Sequence, residues 1–260
     1  MNDRVRIELA DHVADVKLIR SDKMNALDPA MFQAIIDAIE EVRGMAGVRC
    51  VVLSGEGRAF CAGLDMASMA SGGTGVSIAE RTHGDANMVQ QVAWGWRTLP
   101  MPVIAAVHGV AFGGGFQIMS GADIRIASPF TRFSIRELHW GLVPDMAGIA
   151  LWRGLARDDV LRELTYTARE FDGSEARELG FVTALADDPW GEAMTLAKLI
   201  AARNPEAIRG AKTLFNRAAD EDGASLLQAE SDVQLQVIRR PNQVEAVMAN
   251  MQKRAAVFSD

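Results

Sequence analysis

Two carboxylates and a run of three glycines carry most of the chemistry legible in these 260 residues. Glu137 and Asp145 lie in FSIRELHWGLVPD (133–145), a largely apolar stretch. Apolar surroundings disfavour the ionised form, raise a carboxyl pKa and make the group a usable proton carrier near neutral pH. The plainer alternative pairs a surface Glu137 with Arg136 and makes Asp145 the N-cap of the helical run after Pro144. Gly113-Gly114-Gly115 follows an apolar strand and opens a helix. N–H groups at a helix start have no intrahelical acceptor and carry positive partial charge, so they suit an anion or an oxygen that becomes one. Tight packing of helix on sheet would also use these glycines, but three in a row cost backbone entropy, which favours function. In RAFCAGLD (58–65) a strand enters a loop of small residues, and Gly63 allows close backbone approach to a ligand. A plain strand-to-helix turn would look the same. Cys61 has no base beside it and reads as a small buried residue.

Alternating strands and helices must position these groups. Strand patterns at 5–10 and 13–19 flank the turn Asp11-His12. Asp28 suits a helix N-cap and Pro29 the first turn, and Met31, Ile35, Ile36 and Ile39 keep helical spacing. A buried strand at 51–53 precedes the loop 54–57. The apolar strand at 102–107 runs through His108, read as a strand-end histidine with a satisfied hydrogen bond, towards the three glycines. A further strand follows at 123–127. This alternation predicts an α/β layer structure. From about residue 145 the pattern is nearly all helical, for example at 190–203 and 205–219. A soft boundary near residue 190 divides a core domain, 1–190, from a helical C-terminal region, 191–260. No internal repeat is visible, and 67–75, rich in Gly, Ser and Ala, reads as a mobile loop.

Composition narrows the classes. The apolar share is 49% and the charged share 23%, ordinary for a soluble globular protein. No run of about 18 apolar residues predicts a transmembrane helix. The termini show no signal core or peroxisomal or retention signal, so the expected location is cytoplasmic. Two cysteines, Cys50 and Cys61, are too few for a disulfide framework, and His12, His83, His108 and His139 show no metal-ligand spacing. A net charge of −7 argues against nucleic acid as partner. It also requires that any polyphosphate ligand be met by local cations.

Taken as an ordered set, RSDKMNAL (20–27), AFCAGLD (59–65), AAVHGVAFGGGFQ (105–117) and Glu137 with Asp145 resemble the crotonase (enoyl-CoA hydratase/isomerase) family. The similarity runs over most of the chain, including KRAAVF (253–258). It implies a spiral of β-β-α units with a C-terminal helical region that assembles trimers or dimers of trimers. It also implies an acyl-CoA thioester substrate whose enolate is stabilised by two N–H groups, here those of Leu64 and Gly114. No cofactor is expected, because coenzyme A enters as part of the substrate, and neither metal nor membrane is implied. The implied coenzyme A contacts are Lys23, the 62–66 loop (Ala62, Gly63, Asp65 and Met66) and Lys253, with Gln117 also in the substrate site. Met66, Met69, Phe116 and Trp140 are candidate acyl-pocket walls.

Two departures from the family's hydratases bear on activity. Hydratases hold water between two glutamates; Glu137 matches one, but Gln117 stands at the other and cannot take up a proton. Asp145 stands where hydratases usually have glycine. Dienoyl-CoA isomerases of the family carry that aspartate, with a further aspartate at the position of Gln117. A dehalogenase branch uses it as nucleophile but has Trp at the position of Glu137. The expectation is therefore an enoyl-CoA isomerase in preference to a hydratase (lyase) of fatty-acid β-oxidation. A non-catalytic or RNA-binding relative is the competing class, against which the charge weighs.

Overall fold

The computed structural model describes residues 3–70 and 78–260. Strand β1 (Val5–Ala10) pairs antiparallel with β2 (Val13–Leu18) through a turn in which Asp11 and His12 both take positive φ. The chain then repeats one unit: a strand of the main sheet, a short extended segment of a second layer, and a helix. After β2 the second-layer segment holds Leu27, and α1 (Pro29–Gly44) follows. After β3 (Cys50–Gly55) it is the stretch around Cys61 and Leu64, followed by α2 (Met66–Ala70) and α3 (Met88–Thr98). After β4 (Val103–Val107) it is β5 (Val110–Phe112), and then α4 (Gly114–Ser120). After β6 (Ile124–Ala127) it is β7 (Arg132–Ser134), followed by the 3₁₀ turn Glu137–Trp140, α5 (Gly148–Trp152) and α6 (Asp158–Thr167). A bridge at Phe171 precedes α7 (Gly173–Leu179), and β8 (Ala184–Leu185) closes the sheet. The helices α8 (Pro189–Ala201), α9 (Pro205–Arg217), α10 (Gly223–Val237) and α11 (Pro241–Gln252) complete the chain.

The main sheet has the order β1-β2-β3-β4-β6-β8 and is parallel beyond its first hairpin. Leu27–Leu64, Cys61–Ala111, β5–β7 and Phe133–Phe171 pair in turn to make the second layer. The expected spiral of β-β-α units is thus present.

Both faces of the main sheet are covered, as parallel strands require. Val51 and Leu53 of β3 join one core and Cys50 and Val52 the other, as the two-residue period dictates. On the first side α1 buries Met31, Phe32, Ile35, Ile36, Ile39 and Val42. Its start is set as expected: Pro29 opens the helix and the Asp28 carboxylate accepts the Met31 N–H at 2.8 Å, a cap worth about 1 kcal/mol. On the second side α8 lays Ala193, Ala197 and Ala201 against the strands.

Two expectations change. The segment 67–75 begins inside α2, and its residues from 71 on lie outside the described residues. Asp145 is no helix cap: α5 starts at Gly148, its cap position is Ala147 in the left-handed region (φ 67°), and no side chain caps it.

Candidate active site

The 59–65 segment runs between two neighbours. Cys61 pairs with β5, donating to the Val110 carbonyl and accepting from Phe112 N–H. Two residues on, Gly63 C=O accepts from Leu27 N–H at 2.8 Å and Asp65 N–H donates to Leu27 C=O at 3.0 Å. In such a parallel bridge the residue between, Leu64, turns its own N–H to the opposite side. That side holds the start of α4: a Cβ on Gly63 would lie 3.7 Å from Gly114 N and 2.7 Å from the Phe112 carbonyl oxygen. Gly63, with φ +88°, is therefore the residue that lets the two loops meet.

The three glycines serve three purposes. Gly113 takes φ +49°, and its N–H is spent on the Ser134 carbonyl at 2.9 Å. A Cβ on Gly114 would press on Leu27 Cδ1 and Met146 Sδ. A Cβ on Gly115 would collide with the Cys61 carbonyl oxygen, so this glycine docks α4 on the neighbouring loop. The packing reading thus holds for Gly115. Behind them Phe116 is fully buried among Phe133, Trp152, Phe171 and Phe181, with ring centroids 5.2–5.8 Å away. It is core rather than pocket wall.

A cavity opens at this junction. Its lining includes Ala62, Gly63, Leu64, Gly113, Gly114 and Glu137, with Met24, Met66, Phe112, Arg136, Trp140 and Leu142 as further walls. Met66 and Trp140 are thus where a pocket wall is expected; the side chain of Met69 lies outside the described residues.

Glu137 is 7% exposed. Burial pushes its carboxyl above the ordinary range, offset in part by hydrogen bonds, among them one from Gln117, while the Asp145 charge adds to the rise. Its neighbour Arg136 does not neutralise it: that guanidinium pairs with Glu170 at 2.6 Å and lies over the Phe112 ring at 4.4 Å. Glu137 Oε1 accepts from Gln117 Nε2 at 2.6 Å, and Oε2 is buried without a partner among the described residues. Gln117 is wholly buried, and its Oε1 accepts the N–H groups of Met146 and Gly148, both at 2.9 Å. Asp145 is solvent-exposed beside this pair, and its carboxyl too is raised by the protein around it.

The remaining candidates lie elsewhere. The Asp65 side chain pairs with Arg20 at 2.8 Å and accepts the Ala67 N–H at 3.0 Å. Burial opposes its ionisation, but Arg20 and these N–H groups outweigh burial and hold its pKa below the usual range. Lys23 and Lys253 are exposed outside the cavity wall. Cys61 is fully buried, and burial pushes its thiol up to about 12, which leaves it neutral and unreactive. His108 bonds the Gly57 carbonyl at 2.8 Å.

Sequence reasoning assigned no role to two residues of RSDKMNAL. Arg20 joins Asp28 and Asp65, clamping the first two spiral turns beside Leu64. Asn25 Nδ2 donates to the carbonyls of Glu56, Ala59 and Phe60 and fixes the entry to the 59–65 segment. No sequence signal marked either residue, because Asp65, Ala59 and Phe60 come from another part of the chain.

The family model for enoyl-CoA hydratase/isomerase matches residues 8–260. The chain belongs to the enoyl-CoA hydratase/isomerase family. These crotonase-superfamily members are enzymes, and the relatives of this chain carry both activities in their names. It is 28% identical over 261 residues to the mitochondrial Delta(3,5)-Delta(2,4)-dienoyl-CoA isomerase of Mus musculus, covering 94% of this chain and 77% of the relative. It is 29% identical over 261 residues to the enoyl-CoA hydratase EchA19 of Mycobacterium tuberculosis, covering 98% and 96%. Among solved structures, the enoyl-CoA hydratase of Bacillus anthracis superposes with a TM-score of 0.89 at 27% identity, over 98% of both chains.

Proposed function

We propose that this chain shifts a double bond along an acyl-CoA thioester, with hydration at most a weak side activity. The Leu64 and Gly114 N–H groups receive the thioester oxygen as negative charge develops on it; one such donor is typically worth about 3 kcal/mol of barrier. Glu137 removes a proton from one carbon and returns it to another, with Asp145 serving a distal carbon. Coenzyme A arrives as part of the substrate, and no resident cofactor or metal enters the scheme. Met66 and Trp140 flank the acyl chain, the 62–66 backbone takes the adenine, and Lys23 and Lys253 meet the phosphates. The chain works as a trimer or dimer of trimers.

The observation that supports isomerisation is the state of Gln117. Both lone pairs of its Oε1 are filled by backbone N–H groups, and its Nε2 donates to Glu137. An amide cannot take a proton from a water, so Gln117 cannot act as the second base that hydration uses. Hydration would ask Glu137 both to activate the water and to protonate the substrate. The hydratase reading draws support from relatives such as EchA19.

A panel of 2-enoyl-, 3-enoyl- and 3,5-dienoyl-CoA thioesters, with products identified by mass and absorbance, decides between them. Isomerised product is expected to outpace hydrated product at matched chain length. Asp145→Asn is expected to lower isomerase turnover without unfolding the protein, since Asp145 is exposed and caps nothing. Faster hydration, together with unchanged rates in Asp145→Asn, would refute the isomerase assignment.

A further inference from the structure

The Gln117 amide has only one possible orientation. Its oxygen faces two backbone donors, Met146 N–H and Gly148 N–H. Rotating the amide by half a turn would set its NH₂ against both of them, leaving three donor groups buried without acceptors. The NH₂ must therefore face Glu137, and it does so at 2.6 Å. A fixed donor has two effects on a carboxylate: it favours the ionised form, and it occupies one oxygen. Glu137 Oε1 is occupied; Oε2 has no partner among the described residues. A Cβ on Gly113 would sit 3.3 Å from Oε1, so the glycine run crosses directly over the bonded oxygen. The anchor of this arrangement is the 146–148 turn, whose Ala147 is held at φ 67°.

We propose that Gln117 is a positioning residue that locks Glu137 through Oε1 and leaves Oε2 as the single oxygen that exchanges the substrate proton. This rests on Glu137 being the proton carrier, as proposed above. It assigns Gln117 no contact with substrate. It also couples the orientation of Glu137 to the 146–148 turn, so that displacement of that turn would release the carboxylate.

Two substitutions separate this role from simple core packing. Gln117→Met keeps the volume and removes both polar ends. Gln117→Glu keeps an acceptor for the two backbone N–H groups and removes the donor, so it serves if the Met variant does not fold. Carbon-13 NMR titration of the Glu137 carboxyl, assigned by its loss in Glu137→Gln, reads the effect without turnover. In Gln117→Met the Glu137 titration is expected to rise by about one pH unit, and the acid limb of kcat to move with it. At fixed neutral pH kcat should fall by about ten-fold or more, with KM changed by less than about three-fold. In Gln117→Glu the two adjacent carboxyls should titrate as a pair, with the higher step further up still. Folded variants whose Glu137 titration stays at the wild-type position, with a proportionate loss of kcat at every pH, would overturn the proposal. A shifted titration in a protein that turns over no thioester would support the lock and refute the function proposed above.

Discussion

Glu137 is the proton carrier of the function proposed above, and its buried environment is costly to the fold. Folding raises its pKa, so the native state holds this proton more tightly than the unfolded chain. Its contribution to stability is therefore full below the ordinary value of 4.5 and is lost as pH rises through the raised native value. Glu137→Gln cannot ionise and escapes that loss. It is expected to melt at or above the wild-type temperature at pH 7–8, a difference that vanishes in acid; thermal scans across pH check this. The same variant should lose most turnover, about 10²- to 10⁴-fold, while binding a CoA ester nearly as well by calorimetry. Wild-type turnover would remove Glu137 from its role. In the wild type, the rate should rise with pH through the raised Glu137 value, because the base must be ionised to accept the proton.

At the scale of elements, the site is the meeting of two strand-to-helix turns from successive spiral units. Gly63 is the critical point of contact. An alanine there would be strained at φ +88° and would press on the Phe112 carbonyl, a backbone atom with no freedom to move. An alanine at Gly114 meets only side-chain atoms, Leu27 Cδ1 and Met146 Sδ, which can yield. Gly63→Ala is therefore expected to destabilise the protein by about 1–3 kcal/mol and to depress turnover. Gly114→Ala should cost less stability. Denaturant titration of both variants measures the order, and the reverse order would deny the close approach its importance. Arg20 and Asn25 reinforce the same junction from the first spiral turn.

At the scale of the whole molecule, α11 presents an apolar face that none of the described residues covers. Val244, Val247, Met248 and Met251 follow helical spacing and are each 43% exposed or more. Leu227 and Leu235 of α10 are similarly bare, whereas Val233 packs towards Gly210 of α9. Contiguous exposed apolar surface of this kind marks an interaction face. Light scattering at micromolar concentration is expected to give a mass of three or six chains, and a monomer would count against the assembly proposed. The net charge of −7 requires that the phosphates of the proposed substrate be met by local cations, the role proposed for the exposed Lys23 and Lys253. No helix among the described residues is long and apolar enough to cross a membrane.

Much of this was legible in the sequence, for a local reason. Caps, glycine runs and strand periods act over a few residues, so Asp28 before Pro29, the apolar 102–107 strand and the three glycines could be read directly. The ordered motifs likewise determined the family, because each marks one end of a strand. The spiral itself left no repeat in the sequence: what recurs is the order of backbone elements, which many side chains satisfy. Only the tertiary structure decided how Gln117 is used, because its two acceptor bonds come from Met146 and Gly148, 29 and 31 residues away. It also decided that Arg136 pairs with Glu170 and not with Glu137, and that Phe116 faces the core. Side-chain type states which bonds a group can make. Which of them it makes depends on the partners that folding brings within about 3 Å.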